Sequence, residues 1–216
     1  MTLLSGGCHG ADLIFEKYAK LNQHQLEIYK NDFLSKEKVI SGRTISQRDS
    51  SNKNDSFFSN FGNYHDICDR YDNYLIDINN KYLNRKYPTA KDYTNSLLRR
   101  DVYVGLNADI VYAITWLDNN NGNIKIHGGT AWACYAYIDK CIQAKVSITN
   151  CFIYDQNVCK WFVVNIDYNS SKINFVECNQ VPPINKDTSK YAGIGTREIN
   201  DNGINAIKKL YSANKD

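Results

Sequence analysis

Residues 191–213 read YAGIGTREINDNGINAIKKLYSA. A short apolar run ends in Gly193-Ile194-Gly195, a polar turn follows, and Ile204, Ile207 and Leu210 then recur at helical spacing. Strand, glycine turn and helix form the repeating unit of an α/β domain, and here the helix is the last element of the sequence. Residues 1–20, MTLLSGGCHGADLIFEKYAK, show an oddity. Only TLL precedes the glycine-rich loop SGGCHGAD, which is too little for a first strand and enough for the end of one. Something that ordinarily precedes this loop is missing.

Between these ends the same grammar repeats. ADLIFEKYAKLNQ (11–23) is expected to be an amphipathic helix and LEIYKND (26–32) a short strand. YTNSLLRRDVYVGLN (93–107) predicts a helix leading into a buried strand, ADIVYAITWL (108–117). After the polar turn DNNNGN, residues 124–144 read IKIHGGTAWACYAYIDKCIQA, in which Gly128 and Gly129 open another helix. CFIYDQNVCKWFVVNIDY and INFVEC are strand-like around the turn NSS, and VPPINKDTSK is expected to be a linker. Residues 41–87 break the pattern as a long insertion, polar at first and Tyr/Asn-rich afterwards. The expected fold is one α/β domain over 1–216, with a Rossmann-like, mostly parallel sheet flanked by helices.

Composition narrows the function classes. The net charge of +3 over 216 residues permits an anionic ligand but is modest for a nucleic-acid-coating surface. No apolar run approaches the roughly 20 residues that span a bilayer, and no secretory leader is expected, so a cytoplasmic location is. Seven cysteines without a CxxC pair, and four histidines without zinc spacing, point to reduced thiols and no metal. No cofactor is expected.

The chemistry is concentrated in three glycine turns: Ser5, Gly6, Gly7 and Gly10; Gly128, Gly129 and Thr130; Gly193, Gly195, Thr196 and Arg197. Glycine allows close backbone approach, helix N-termini offer unpaired N–H groups, and Arg197 adds a planar cation. Together they favour a phosphate-bearing ligand. Asp12 either ties its loop to the helix or bonds a ribose hydroxyl. Glu198 orients Arg197, contacts a sugar or serves as a surface cap; these two acids, or a carboxylate from the insertion, are the catalytic candidates. Trp132, more than Trp116, is expected to reach the pocket, and His127 is read first as a turn residue and second as a phosphate contact. Cys8 and His9 are not read as a nucleophilic pair. The aromatic and basic residues of 41–87 suggest a lid.

YAGIGTRE (191–198), TLLSGGCHGAD (2–12) and AITWLDNNNGNIKIHGGTAWACYAY (113–137) resemble successive signatures of the SLOG superfamily, which includes YpsA-like, DprA-like and LOG proteins. Their order resembles the circularly permuted YpsA-like branch, which implies that residues 190–211 supply the first strand–helix unit and YAGIG the strand missing before TLLS. The resemblance implies a nucleotide site in which Asn95 and Arg99 occupy the place of an Arg-Asn pair, with Thr94 where the arginine is expected and Arg99 or Arg100 supplying its charge. It also implies a homo-oligomer, a dimer in the simplest case. LOG-type hydrolases resemble PGG-x-GT-x-x-E, whereas this chain has HGGTAWACY, with Ala133 and Cys134 where the acid would be sought. That removes the obvious donor for an acid/base contribution of roughly 10²–10⁴-fold.

The preferred reading is binding of a nucleotide or ADP-ribose-type signal, as a sensor or as a sequestering protein of a virus or mobile element acting in the host cytoplasm. The alternatives are a hydrolase of an N-glycosidic or phosphoester bond, a DprA-like single-strand DNA binder, and a molybdenum-cofactor carrier.

Overall fold

The computed structural model describes residues 1–30, 34–36, 64–120, 122–170, 172–184 and 189–212. Its strands are β1 (Thr2–Ser5), β2 (Gln25–Ile28), β3 (Ile110–Thr115), β4 (Leu117–Asn120), β5 (Asn123–Ile126), β6 (Ile148–Asp155), β7 (Lys160–Asp167), β8 (Lys172–Glu177) and β9 (Lys190–Gly195). Its helices are α1 (Ala11–Leu21), α2 (Tyr64–Ile78, continuing as a π-helical turn over Asn79–Leu83), α3 (Asp92–Asn107), α4 (Thr130–Gln143) and α5 (Asp201–Ser212).

Seven strands form one sheet in the order β2-β1-β9-β3-β6-β7-β8. The first five are parallel, and β7 and β8 extend the edge antiparallel. The last strand of the chain therefore lies in the middle of the sheet, with Tyr191 in register with Leu3 on one side and Ile110 on the other. Counted from β9, the parallel strands run 3-2-1-4-5, the doubly wound order. The order reverses between β9 and β3, so a crevice opens above their carboxyl ends.

Burial on both faces explains the near-continuous apolar runs of β3 and β9. One face carries α1 and α5, packed through Phe15, Ala19, Ile207 and Leu210 against Leu3, Tyr112 and Tyr191. The other carries α2, α3 and α4, and its core includes Leu75, Val102, Trp132, Ile138 and Ile153. Nearly all of α4 is buried; its one buried acid, Asp139, is satisfied by Tyr74, Tyr82, Lys81 and Gln143.

Three expectations need correction. The run CFIYDQNVCKWFVVNIDY is a hairpin, not one strand. Asp155 accepts the Asn157 amide in a local turn, and Cys159 turns the chain with φ 58°. The polar turn expected at 118–123 is narrower than read, since residues 118–120 pair with 123–125 in the β4–β5 hairpin, and Gly122 near its tip has φ 83°. The linker 181–190 is in part packed, since Ile184 is buried and donates its amide to Leu210. Of the insertion, residues 41–63 lie outside the described residues. Residues 64–83 are a helix whose Ile67, Cys68, Leu75, Ile78 and Leu83 enter the core, so this half is structural. Tyr71 packs near Tyr103 there, and Tyr74 bonds Asp139.

Candidate functional site

A cleft of about 340 Å³ occupies the crevice between β9 and β3. Its floor is Thr115 and Ile194, and the loops after these strands form two walls. The third wall is Gly128, Gly129 and Thr130 at the start of α4, and the fourth is α3, through Leu97, Arg100 and Asp101.

The α4 wall offers main-chain donors. Gly128 has φ 67° with open space around it, so the left-handed backbone alone calls for glycine. Gly129 is the N-cap and no side chain caps the helix, which leaves its positive end turned towards the cleft. The buried Thr130 adds a hydroxyl.

The other two glycine turns hold each other. A Cβ on Gly10, whose φ is 91°, would lie 2.3 Å from Thr196 O and 2.6 Å from Arg197 Cα. Ala11 donates its amide to Thr196 O at 3.0 Å, so the first N–H of α1 is spent on the β9 loop. Gly193 accommodates Phe15, and Gly195 accommodates the Ile114 carbonyl and Ala11. These glycines serve close packing. The third turn also does not open its helix directly: α5 starts at Asp201, and the Asn200 side chain caps it by accepting the Gly203 amide.

Asp12 joins both loops. Its Oδ2 accepts the Cys8 amide at 3.3 Å and its Oδ1 the Gly195 amide at 3.1 Å. Burial pushes its carboxyl up to about 7 against the pull of Arg100, with Asp101 and Glu16 adding to the rise. Ser5 is buried and donates to Glu16 at 2.7 Å, while Gly6 lies under the Arg100 guanidinium. Ser5, Gly6, Gly7, Gly10 and Gly193 therefore support the cleft without lining it; Asp12, Gly128, Gly129, Thr130, Gly195, Thr196, Arg197 and Glu198 line it.

On α3 the structure separates neighbours. Arg99 is 2% exposed and points away, bonded to Asp72, Asp92 and the Leu34 carbonyl. Asn95 spends its amide on Thr89. Arg100 faces the cleft, where it clamps the first loop by donating to Gly6 O at 3.0 Å and to Cys8 Sγ at 3.4 Å. Trp132 is 3% exposed and packs in the core against Tyr87; the aromatic wall of the cleft is Trp116. Its ring meets His127 edge-on at 5.4 Å, and His127 Nδ1 lies 3.0 Å from Asp118.

Asp101 is the cleft residue that sequence reading missed. Its Oδ1 takes both Arg100 Nε and Nη2, at 3.1 and 2.6 Å. Its Oδ2 has no partner among the described residues and faces the start of α4, 3.9 Å from where a Gly129 Cβ would stand. Burial raises this carboxyl above its ordinary range, although Arg100 and Arg197 pull it down. The one available signal was an acid directly after two arginines on a helix whose other neighbours are apolar.

Arg197 is exposed at the rim, and no carboxylate lies within ion-pairing distance of it among the described residues. Among those residues no group of three His, Cys, Asp or Glu is placed to hold a metal, and no helix is long and apolar enough to cross a membrane. Comparison with protein-family models, with curated proteins and with solved structures gave no match.

Proposed function

We propose that the cleft binds a nucleotide-derived ligand, its phosphate held by Arg197 and its sugar beside Asp101 at the start of α4. The observation that carries this reading is the convergence of an uncapped Gly-Gly-Thr helix start and an unpaired arginine at the point where the strand order reverses. The carboxylates refine it. A phosphate beside Asp101 Oδ2 would be repelled, whereas a sugar hydroxyl would donate to it. The ligand therefore presents ribose to Asp101 and its phosphate to the arginine side, with Trp116 available to the base. The glycine motifs that resemble SLOG signatures agree with such a ligand. A domain of this kind in a virus or mobile element would sequester a nucleotide signal.

Asp101 also favours a second reading, hydrolysis of the N-glycosidic bond. A desolvated carboxyl of raised proton affinity is suited to protonating a departing base while water attacks the sugar carbon. One experiment separates the two. The purified protein is incubated with ribonucleotides, ADP-ribose isomers and cyclic dinucleotides, freed of unbound material, denatured and examined by mass spectrometry. An intact compound near one equivalent supports binding. Free base with ribose phosphate, abolished in Asp101→Asn, supports hydrolysis. A protein that retains and alters nothing contradicts both.

A further inference from the structure

The cleft does not end at Arg197. A second groove, of about 630 Å³, lies on the outer side of the first glycine loop. Cys8, Leu97, Arg100 and Arg197 line both spaces, so the two share a wall. The chemistry of the outer groove complements an anion. His9, Lys20 and Lys30 lie along it, with Arg197 at the join. Its one carboxylate, Glu16, is buried and accepts the Ser5 hydroxyl at 2.7 Å, so that oxygen is directed into the protein. Tyr93, 53% exposed, contributes an aromatic surface.

Size decides how the spaces are used. Small-molecule sites run from roughly 300 to 1,000 Å³, and the inner cleft, at about 340 Å³, is at the lower end. It suits one nucleotide-sized half of a ligand. We infer that the natural ligand is a dinucleotide, with two sugar–base halves joined through phosphate. One half lies in the inner cleft, the linkage rests on the planar fork of Arg197, and the second half lies in the outer groove against Tyr93 with Lys20 and Lys30 beside its phosphates. This inference rests on the nucleotide reading above.

The test is calorimetric titration with matched probes: AMP against diadenosine pyrophosphate, and GMP against diguanosine pyrophosphate. At least one dinucleotide binds tenfold or more tightly than its mononucleotide. Tyr93→Ala and Lys20→Glu, both exposed positions, each reduce that advantage while leaving mononucleotide affinity within twofold. Mononucleotide and dinucleotide of equal affinity would overturn the inference and leave the nucleotide reading standing. A retained advantage in both variants would also overturn it. If no probe binds, the nucleotide reading fails and the inference fails with it.

Discussion

The Asp12 carboxylate accepts the Gly195 amide at 3.1 Å across 183 positions of chain, tying the helix after β1 to the end of the last strand. Its carboxyl is raised to about 7, chiefly by burial. Between about pH 4 and pH 7 the folded protein therefore holds a proton that the unfolded chain has lost, and stability falls as pH rises through that window. The buried His24 ring, held below its ordinary value by burial, acts with the opposite sign, so the comparison needs a variant. Urea unfolding at pH 5 and pH 8 shows a higher midpoint at pH 5 for the native chain than the His24 contribution alone allows. Asp12→Asn flattens or reverses that difference and costs about 1–3 kcal/mol at pH 5 through the lost acceptor. An unchanged pH slope in the variant would remove Asp12 as its source.

Gly10→Ala tests whether the two loops are locked by contact. The added Cβ meets Thr196 O at 2.3 Å, and the loops must part to admit it. Destabilisation of about 3 kcal/mol or more is expected, beyond the usual range for overpacking because backbone is the obstacle. Gly122→Ala is the control: its φ is 83° with nothing within 4 Å, and it pays only the backbone term of about 1–2 kcal/mol. Equal losses in denaturant unfolding would show that the Gly10 approach is not tight.

Two arginines that look alike in sequence separate cleanly by experiment. Arg99→Ala leaves Asp72 and Asp92 without their buried partner and costs about 3–5 kcal/mol, with no direct contact to a ligand. Arg197→Ala, at an exposed position, changes stability by about 0.5 kcal/mol or less but weakens nucleotide binding at least tenfold, roughly the 1.5–3 kcal/mol of a charged hydrogen bond. Thermal melts and titration of both variants measure this. Stability loss in Arg197→Ala with affinity retained would reverse the assignment.

The fold was legible because its evidence is local and repeated. Each strand–glycine–helix unit could be read locally, and the YAGIG unit at 191–195 proved to be a strand in the middle of the sheet. The hairpin tip at 156–159 was hidden because its turn depends on Asp155 accepting a backbone amide and on Cys159 adopting positive φ, neither of which has a glycine or proline as a marker. Around the cleft, glycine content pointed to three loops that meet there but not to their division of labour. Gly10, Gly193 and Gly195 are small because other residues press on them, a fact of tertiary contact. Arg99, Arg100 and Asp101 stand in sequence at successive 100° steps of one helix, so only the packing of α3 decides which of them faces the cleft.

Asp101→Asn probes the sugar. In the native chain a 2′,3′-dideoxynucleotide binds about tenfold more weakly than the ribonucleotide, because Oδ2 loses its donor. In Asp101→Asn the two bind within about threefold of each other. Calorimetry with AMP and its dideoxy analogue makes the comparison. Native protein that binds both equally would place the sugar away from Asp101.

The most direct measurement is the amide spectrum of isotopically labelled protein during titration with whichever nucleotide it retains. Ligand in the cleft shifts the amides of Gly128, Gly129 and Thr130 at the start of α4, together with those of Thr196, Arg197 and Glu198. Shifts absent there and gathered instead on β7 and β8 would contradict the cleft as the binding site.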